Sequence, residues 1–226
     1  MTEPVIDAER IARRYGRRWA LAEVSFRVER GSVMMVAGRN GAGKSTLFRI
    51  LSTAIRPDRG RARVCGFDVI GERQDVRRRT AILSHHNYLY EALTARENLA
   101  VVADHLGISR AGIPAALEQV ALASRADDVM ATFSAGMRKR LSFARVLLQE
   151  PEVVLLDEPY GALDPQGFDL VDGAIASLKR RGVTILLATH QWERASRYAD
   201  VAMVLAEGRV SWMGPARDVL AHGGAA

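Results

Sequence analysis

The eight residues Gly38-Arg39-Asn40-Gly41-Ala42-Gly43-Lys44-Ser45 constrain this chain most, because they fit the phosphate-loop pattern G-x-x-x-x-G-K-[ST] in full. The apolar run Val33-Met34-Met35-Val36-Ala37 precedes them and is expected to form a buried parallel strand. Leu47, Ile50, Leu51 and Ala54 follow on one face of an expected helix. Backbone N–H groups can wrap clustered phosphate oxygens only where no Cβ intervenes, which is the use of Gly38, Gly41 and Gly43. The helix beginning near Lys44 turns its free N–H groups and positive dipole end on the same phosphates. Lys44 is placed to reach the β- and γ-phosphates of ATP, and the Ser45 hydroxyl to ligate Mg²⁺. Asn40 and Thr46 belong to the same cradle. A dinucleotide-binding G-x-G-x-x-G is excluded, since Thr46 stands where the third glycine after Gly41 and Gly43 is required.

A phosphate loop needs a core to hold it, and 226 residues with 48% apolar content suit one domain spanning 1–226. No apolar run approaches the ~18 residues that cross a bilayer. No charged-then-apolar leader opens the sequence, so a cytoplasmic location is expected. The single cysteine, Cys65, leaves no internal disulfide and reads as a small packed residue near a turn. A net charge of +6 permits an anionic partner. The basic clusters at 13–18, 77–79 and 138–140 are scattered, however, and no aromatic residues interleave with them as a stacking platform for nucleic acid requires. No nucleic-acid partner is expected.

Residues 11–15 and 19–28 carry strand-forming side chains, with a turn at 29–31. The helix after the glycine loop is expected to end near Arg56-Pro57-Asp58-Arg59-Gly60. A strand and loop over 60–70 and a strand at 81–83 follow. The period then changes to helical over 95–106, 113–121 and 134–149, which suggests a helical subdomain over 85–149 inserted between core segments 1–84 and 150–226. Later expectations are a buried strand at 153–156, a helix over 165–181, a strand at 183–187, a short helix over 191–198, strands at 201–206 and 208–210, and a last helix near 216–221.

Leu155-Leu156-Asp157-Glu158 ends a buried strand on two acids. Asp157 is placed to reach Mg²⁺ through its water shell, and Glu158 to polarise an attacking water, a role worth ~10²–10⁴ in rate. Phe133-Ser134-Ala135-Gly136-Met137 opens a helix; by itself Ser134 reads more readily as an N-cap than as a ligand contact. Thr189-His190 ends another strand, where a histidine could meet a γ-phosphate or simply be solvated.

The order of these pieces resembles the ATP-binding-cassette (ABC) ATPases. The resemblance runs from Tyr15 to about Val219. It implies an α/β fold: a P-loop core with an N-terminal antiparallel β part and an inserted helical subdomain. It further implies that Tyr15 stacks on adenine and that His190 is the γ-phosphate switch. Ser134, Ala135 and Gly136 match the signature motif that meets the γ-phosphate held by a second copy, and Asp164 matches the loop joining the two sites. ATP and Mg²⁺ are the implied cofactors. The implied partners are a second copy of the chain and integral-membrane transporter subunits, with the chain peripheral on the cytoplasmic face of the cell membrane. His85 stands where most members carry a glutamine that reaches Mg²⁺ and water. Together with Ser-Ala-Gly, Asp164-Pro165-Gln166-Gly167 and Thr189-His190-Gln191, it resembles the haem-exporter subunits of cytochrome c maturation. A soluble ABC ATPase without a membrane partner, and a cassette that binds ATP without cleaving it, stay open as alternatives. Met137 and His85 are the departures that favour the latter.

Overall fold

The computed structural model describes residues 3–84 and 88–223. In chain order its elements are β1 (Ile6–Tyr15), β2 (Arg18–Val28), β3 (Val33–Ala37), α1 (Lys44–Leu51), β4 (Arg59–Val64), β5 (Phe67–Asp68), α2 (Arg73–Arg79), β6 (Thr80–Leu83), α3 (Ala95–Leu106), α4 (Ile113–Gln119), α5 (Ala135–Leu148), β7 (Val153–Asp157), α6 (Pro165–Arg180), β8 (Thr184–Ala188), α7 (Trp192–Ala195), β9 (Val201–Ala206), β10 (Arg209–Pro215) and α8 (Val219–Gly223).

Two sheets form. An antiparallel one has the order β2-β1-β4-β5; a six-stranded one has the order β10-β9-β3-β8-β7-β6. The latter is parallel apart from β10, which pairs antiparallel with β9. Strands β3, β7 and β8 are buried at every position, as a sheet covered on both faces demands. Side chains alternate between two cores. Val33, Met35, Val154, Leu156, Ile185 and Leu187 face a layer with α3, α4, α5 and α6. Met34, Val36, Val153, Leu155, Leu186 and Ala188 face a layer with α1 and the antiparallel sheet. The six-stranded sheet is therefore the middle of three layers.

Helix starts are chemically marked. Thr94 and Glu97 form a capping box at α3, Ser134 caps α5, and Asp164 caps α6 ahead of Pro165. No helix among the described residues is long and apolar enough to cross a membrane.

Some expectations are corrected. Helix α1 stops at Leu51, because the chain turns left-handed at Thr53 (φ 63), so Ala54 leaves the apolar face and is exposed. Helix α2 was not expected. β1 starts earlier, at Ile6, and β10 runs on to Pro215, since its half-buried edge position tolerates a mixed sequence.

Candidate active site

The adjacent parallel strands β3, β8 and β7 end at one edge of the sheet, and each hands its next residues to the same place. There a pocket of about 360 Å³ is lined by Tyr15, Arg18, Ala20, Asn40, Gly41, Gly43, Lys44, Ser45, Thr46, Asp157 and Glu158. The loop after β3 folds tightly enough to demand glycine. Gly38 (φ 140) and Gly43 (φ 110) are in conformations that side chains avoid, and a Cβ on them would run into the carbonyl oxygens of Leu205 and Ala20.

Lys44 begins α1 and is only 6% exposed. Its Nζ donates to the carbonyl oxygens of Gly38 (2.6 Å) and Arg39 (3.1 Å). Burial pulls its pKa below that of an ordinary lysine, and the carboxylates of Glu158 and Asp157 oppose that pull. Ser45 follows at the exposed rim.

Asp157 is the buried last residue of β7. Glu158 adopts a left-handed φ of 51, and its peptide is held on both sides. Its N–H donates to the Ala188 carbonyl (2.8 Å), and its own carbonyl accepts from Lys139 Nζ (2.8 Å). Its Oε2 accepts from the His190 N–H at 3.3 Å. Oε1 is buried and accepts no aligned hydrogen bond from the described residues, although His190 Nε2 lies 3.2 Å away. That ring nitrogen also faces Asn40 Oδ1 at 2.9 Å, so His190 spans the glycine loop and the acidic strand end. Beyond it, α7 is anchored to α6: Arg194 and the Tyr160 hydroxyl (2.7 Å) both donate to the Asp172 carboxylate.

Tyr15 ends β1 at the pocket mouth, with the Arg13 guanidinium 5.2 Å from its ring centroid. Asp58 fixes this strand end, accepting from the Arg13 guanidinium and the Arg14 N–H, each at 2.7 Å.

A second cleft, of about 350 Å³, is lined among others by Ser134, Gly136, Met137, Asp164 and Gly167. None of these lines the Lys44 pocket. Ser134 Oγ accepts from the Met137 N–H (3.2 Å) and Asp164 Oδ1 from the Gly167 N–H (2.7 Å), so two capped helix starts open on this cleft. Ala135 is exposed beside it. The N-cap reading of Ser134 thus holds in the folded chain, without moving Ser134 away from a place where an anion could sit. His85 lies outside the described residues.

Two site residues escaped the sequence reading. Arg18 pairs with Tyr15 across the β1–β2 turn and lines the pocket. Lys139 reaches Glu158 from α5. Both sit in the scattered basic clusters at 13–18 and 138–140, where nothing distinguishes one basic residue from its neighbours; the pairing of Arg18 with Tyr15 across a tight turn was the available signal.

Comparison with known proteins agrees with this geometry. A family model described as ABC transporter matches residues 21–161. The chain is 42% identical over 99% of its length to the daunorubicin resistance ATP-binding protein DrrA3 of Streptomyces coeruleorubidus, covering 72% of that protein. It is 37% identical over 92% of its length to the Nod factor export ATP-binding protein I of Paraburkholderia xenovorans, covering 70% of it. Among solved structures, an ATP-binding subunit of an ABC transporter superposes with a TM-score of 0.89 at 31% identity, covering 97% of this chain and 93% of that one. A dimeric ATP-binding cassette in a post-hydrolysis state, bound to ADP and Pi, shares the fold at 22% identity and a TM-score of 0.87, covering 94% and 99%. With its glycine loop, acidic strand end and capped signature helix placed as they are, the chain belongs to the ABC transporter family, as an ATP-binding, ATP-hydrolysing subunit.

Proposed function

We propose that two copies of this chain close head to tail over two ATP molecules, and that the cycle of closing and opening drives separate membrane-spanning export subunits. The observation that carries this reading is the division of the site. Lys44, Asp157 and Glu158 share one pocket, while Ser134, Gly136 and Asp164 share another. The two clefts share no lining residue, so two copies facing each other would bring one copy's first set and the other's second set to a single triphosphate. The dimeric cassette that shares this fold supports it.

The roles follow from chemistry. The glycine loop and Lys44 bind the phosphates, and Tyr15 stacks on adenine with Arg18 beside it. Ser45 and Asp157 offer a hydroxyl and a carboxylate in one pocket. This all-oxygen donor pair fits Mg²⁺, which takes few protein ligands and completes its shell with water and phosphate. When bound there, the ion would neutralise phosphate charge. The Oε1 of Glu158 is buried and accepts no aligned hydrogen bond from the described residues, which leaves it an acceptor for the attacking water. His190 holds that carboxylate through its N–H and ties it to Asn40. From the partner copy, Ser134, Ala135 and Gly136 close over the γ-phosphate with the N-terminus of α5. Asp164, at the start of α6, stands beside them.

The segment 85–149, with His85 at its start, is the part that would pass motion to the membrane subunits, with the chain peripheral on the cytoplasmic face. The names of the relatives favour export of small organic molecules. Haem export is the narrower alternative, resting on His85, the Ser-Ala-Gly signature and the residues at 164–167 and 189–191; haem co-purifying with the assembled transporter would support it.

Glu158→Gln tests the division of the site. With ATP it should run as a dimer in gel filtration, with turnover lowered by ~10²-fold or more. A monomer at high protein and ATP concentration would overturn the reading.

A further inference from the structure

Helix α5 touches two things. Its capped N-terminus, at Ser134, opens on the second cleft. Lys139, five residues on and roughly 7.5 Å further along the axis, donates to the Glu158 carbonyl at 2.8 Å. The other basic side chains of the helix fasten it elsewhere: Arg138 donates to the Phe133 carbonyl (3.0 Å) and to Glu91, Arg140 to the Ala121 carbonyl (3.4 Å), and Arg145 to the Ile82 carbonyl (2.8 Å). Of these four, Lys139 is the one that reaches the acidic strand end.

Glu158 has need of such support. Its left-handed backbone is one that a side-chain-bearing residue holds only when its surroundings insist. One anchor is the N–H to Ala188, which belongs to the sheet and moves with it. The carbonyl has two: the Gly161 N–H of the turn that follows (3.2 Å), and the shorter bond from Lys139, which belongs to α5. A shift or tilt of α5 therefore acts on the peptide that aims the Glu158 carboxylate. Burial pulls the ammonium's pKa below that of an ordinary lysine, and the carboxylates of Asp157 and Glu158 oppose that pull.

We propose that Lys139 is a positioning residue for Glu158. It links the helix that closes over the partner's nucleotide to the base of its own site. This rests on the divided site proposed above, and it gives that site a property: each copy's base is set when its own signature helix has docked on the other copy.

The test compares Lys139→Met, Lys139→Arg and the double variant Glu158→Gln/Lys139→Met. Lys139→Met should lower kcat about 10- to 100-fold, the worth of one charge-assisted hydrogen bond, and leave the Kd for ATP within twofold. Lys139→Arg should recover most of the loss. In single-turnover measurements the double variant should be no slower than Glu158→Gln alone, because a misplaced base costs nothing once the base is gone. It should still form the ATP dimer, which shows that α5 remains intact. A kcat for Lys139→Met within threefold of the unmodified protein overturns the proposal. So does a further loss on the Glu158→Gln background, which marks a general structural role. Should Glu158→Gln fail to dimerise while these kinetic relations hold, the divided site falls and the positioning role of Lys139 stands.

Discussion

Lys44 is a cation drawn out of water and held by two carbonyl oxygens of its own loop. Those are weak partners compared with a triphosphate, which accounts for the eagerness of such a lysine for phosphate oxygens. Lys44→Ala should weaken ATP binding by at least tenfold, the equivalent of one charge-assisted hydrogen bond of ~1.5–3 kcal/mol, as read by fluorescent-nucleotide titration. Cys65 makes a second point about single residues. Burial pushes its thiol up to about 11 from the ordinary 9.0. Two pK units lower the thiolate fraction about 100-fold, so alkylation at pH 8 should be slower by that order in the native protein than in denaturant. The sign for stability follows: the unfolded thiol loses its proton first, so this contribution is whole below pH 9 and is lost as pH rises through about 11. At this scale the sequence was legible where a residue type had one possible use, as with Gly38 and Lys44. It was opaque for Arg18 and Lys139, whose reach across the fold depends on strand pairing and helix direction.

Elements were legible where the local code was complete. Helix α3 begins and ends where its apolar period and its capping box say it should. Thr94→Ala should cost about 1 kcal/mol and lower the melting temperature by about 2–4 °C, with ATP affinity unchanged. Helix α2 was missed because Val76 is its only buried residue among a run of arginines; one apolar position has no period to detect. Its reason for existing is tertiary: Arg73 and Arg77 donate to Thr53, fixing the turn after α1. The same turn explains the early end of α1. The short helix α7 is likewise held from outside, with Arg194 stacked on Phe168 at 5.1 Å and paired with Asp172. That clamp sets where the chain after His190 goes, and hence how His190 meets Glu158.

For the whole molecule, the two clefts are the decisive feature. An assembly closed by ligand should appear only when nucleotide is present and chemistry is blocked, which is the Glu158→Gln gel-filtration outcome expected above. The sequence announced the family through the order of its motifs, yet it could not show that the acids, the histidine and the glycine loop would meet, since that follows from the strand order β3-β8-β7. Residues 38–45, 157–158 and 190 come from stretches separated by about a hundred and by about thirty positions of chain, and they adjoin only when the central sheet is complete. A nucleotide gripping all three is therefore bound by the folded form alone. Mass action then strengthens that form, by about 2.7 kcal/mol at a hundredfold excess over Kd. Depletion of ATP would act on this protein as a gentle destabilising agent, loosening the same sheet that its presence knits together.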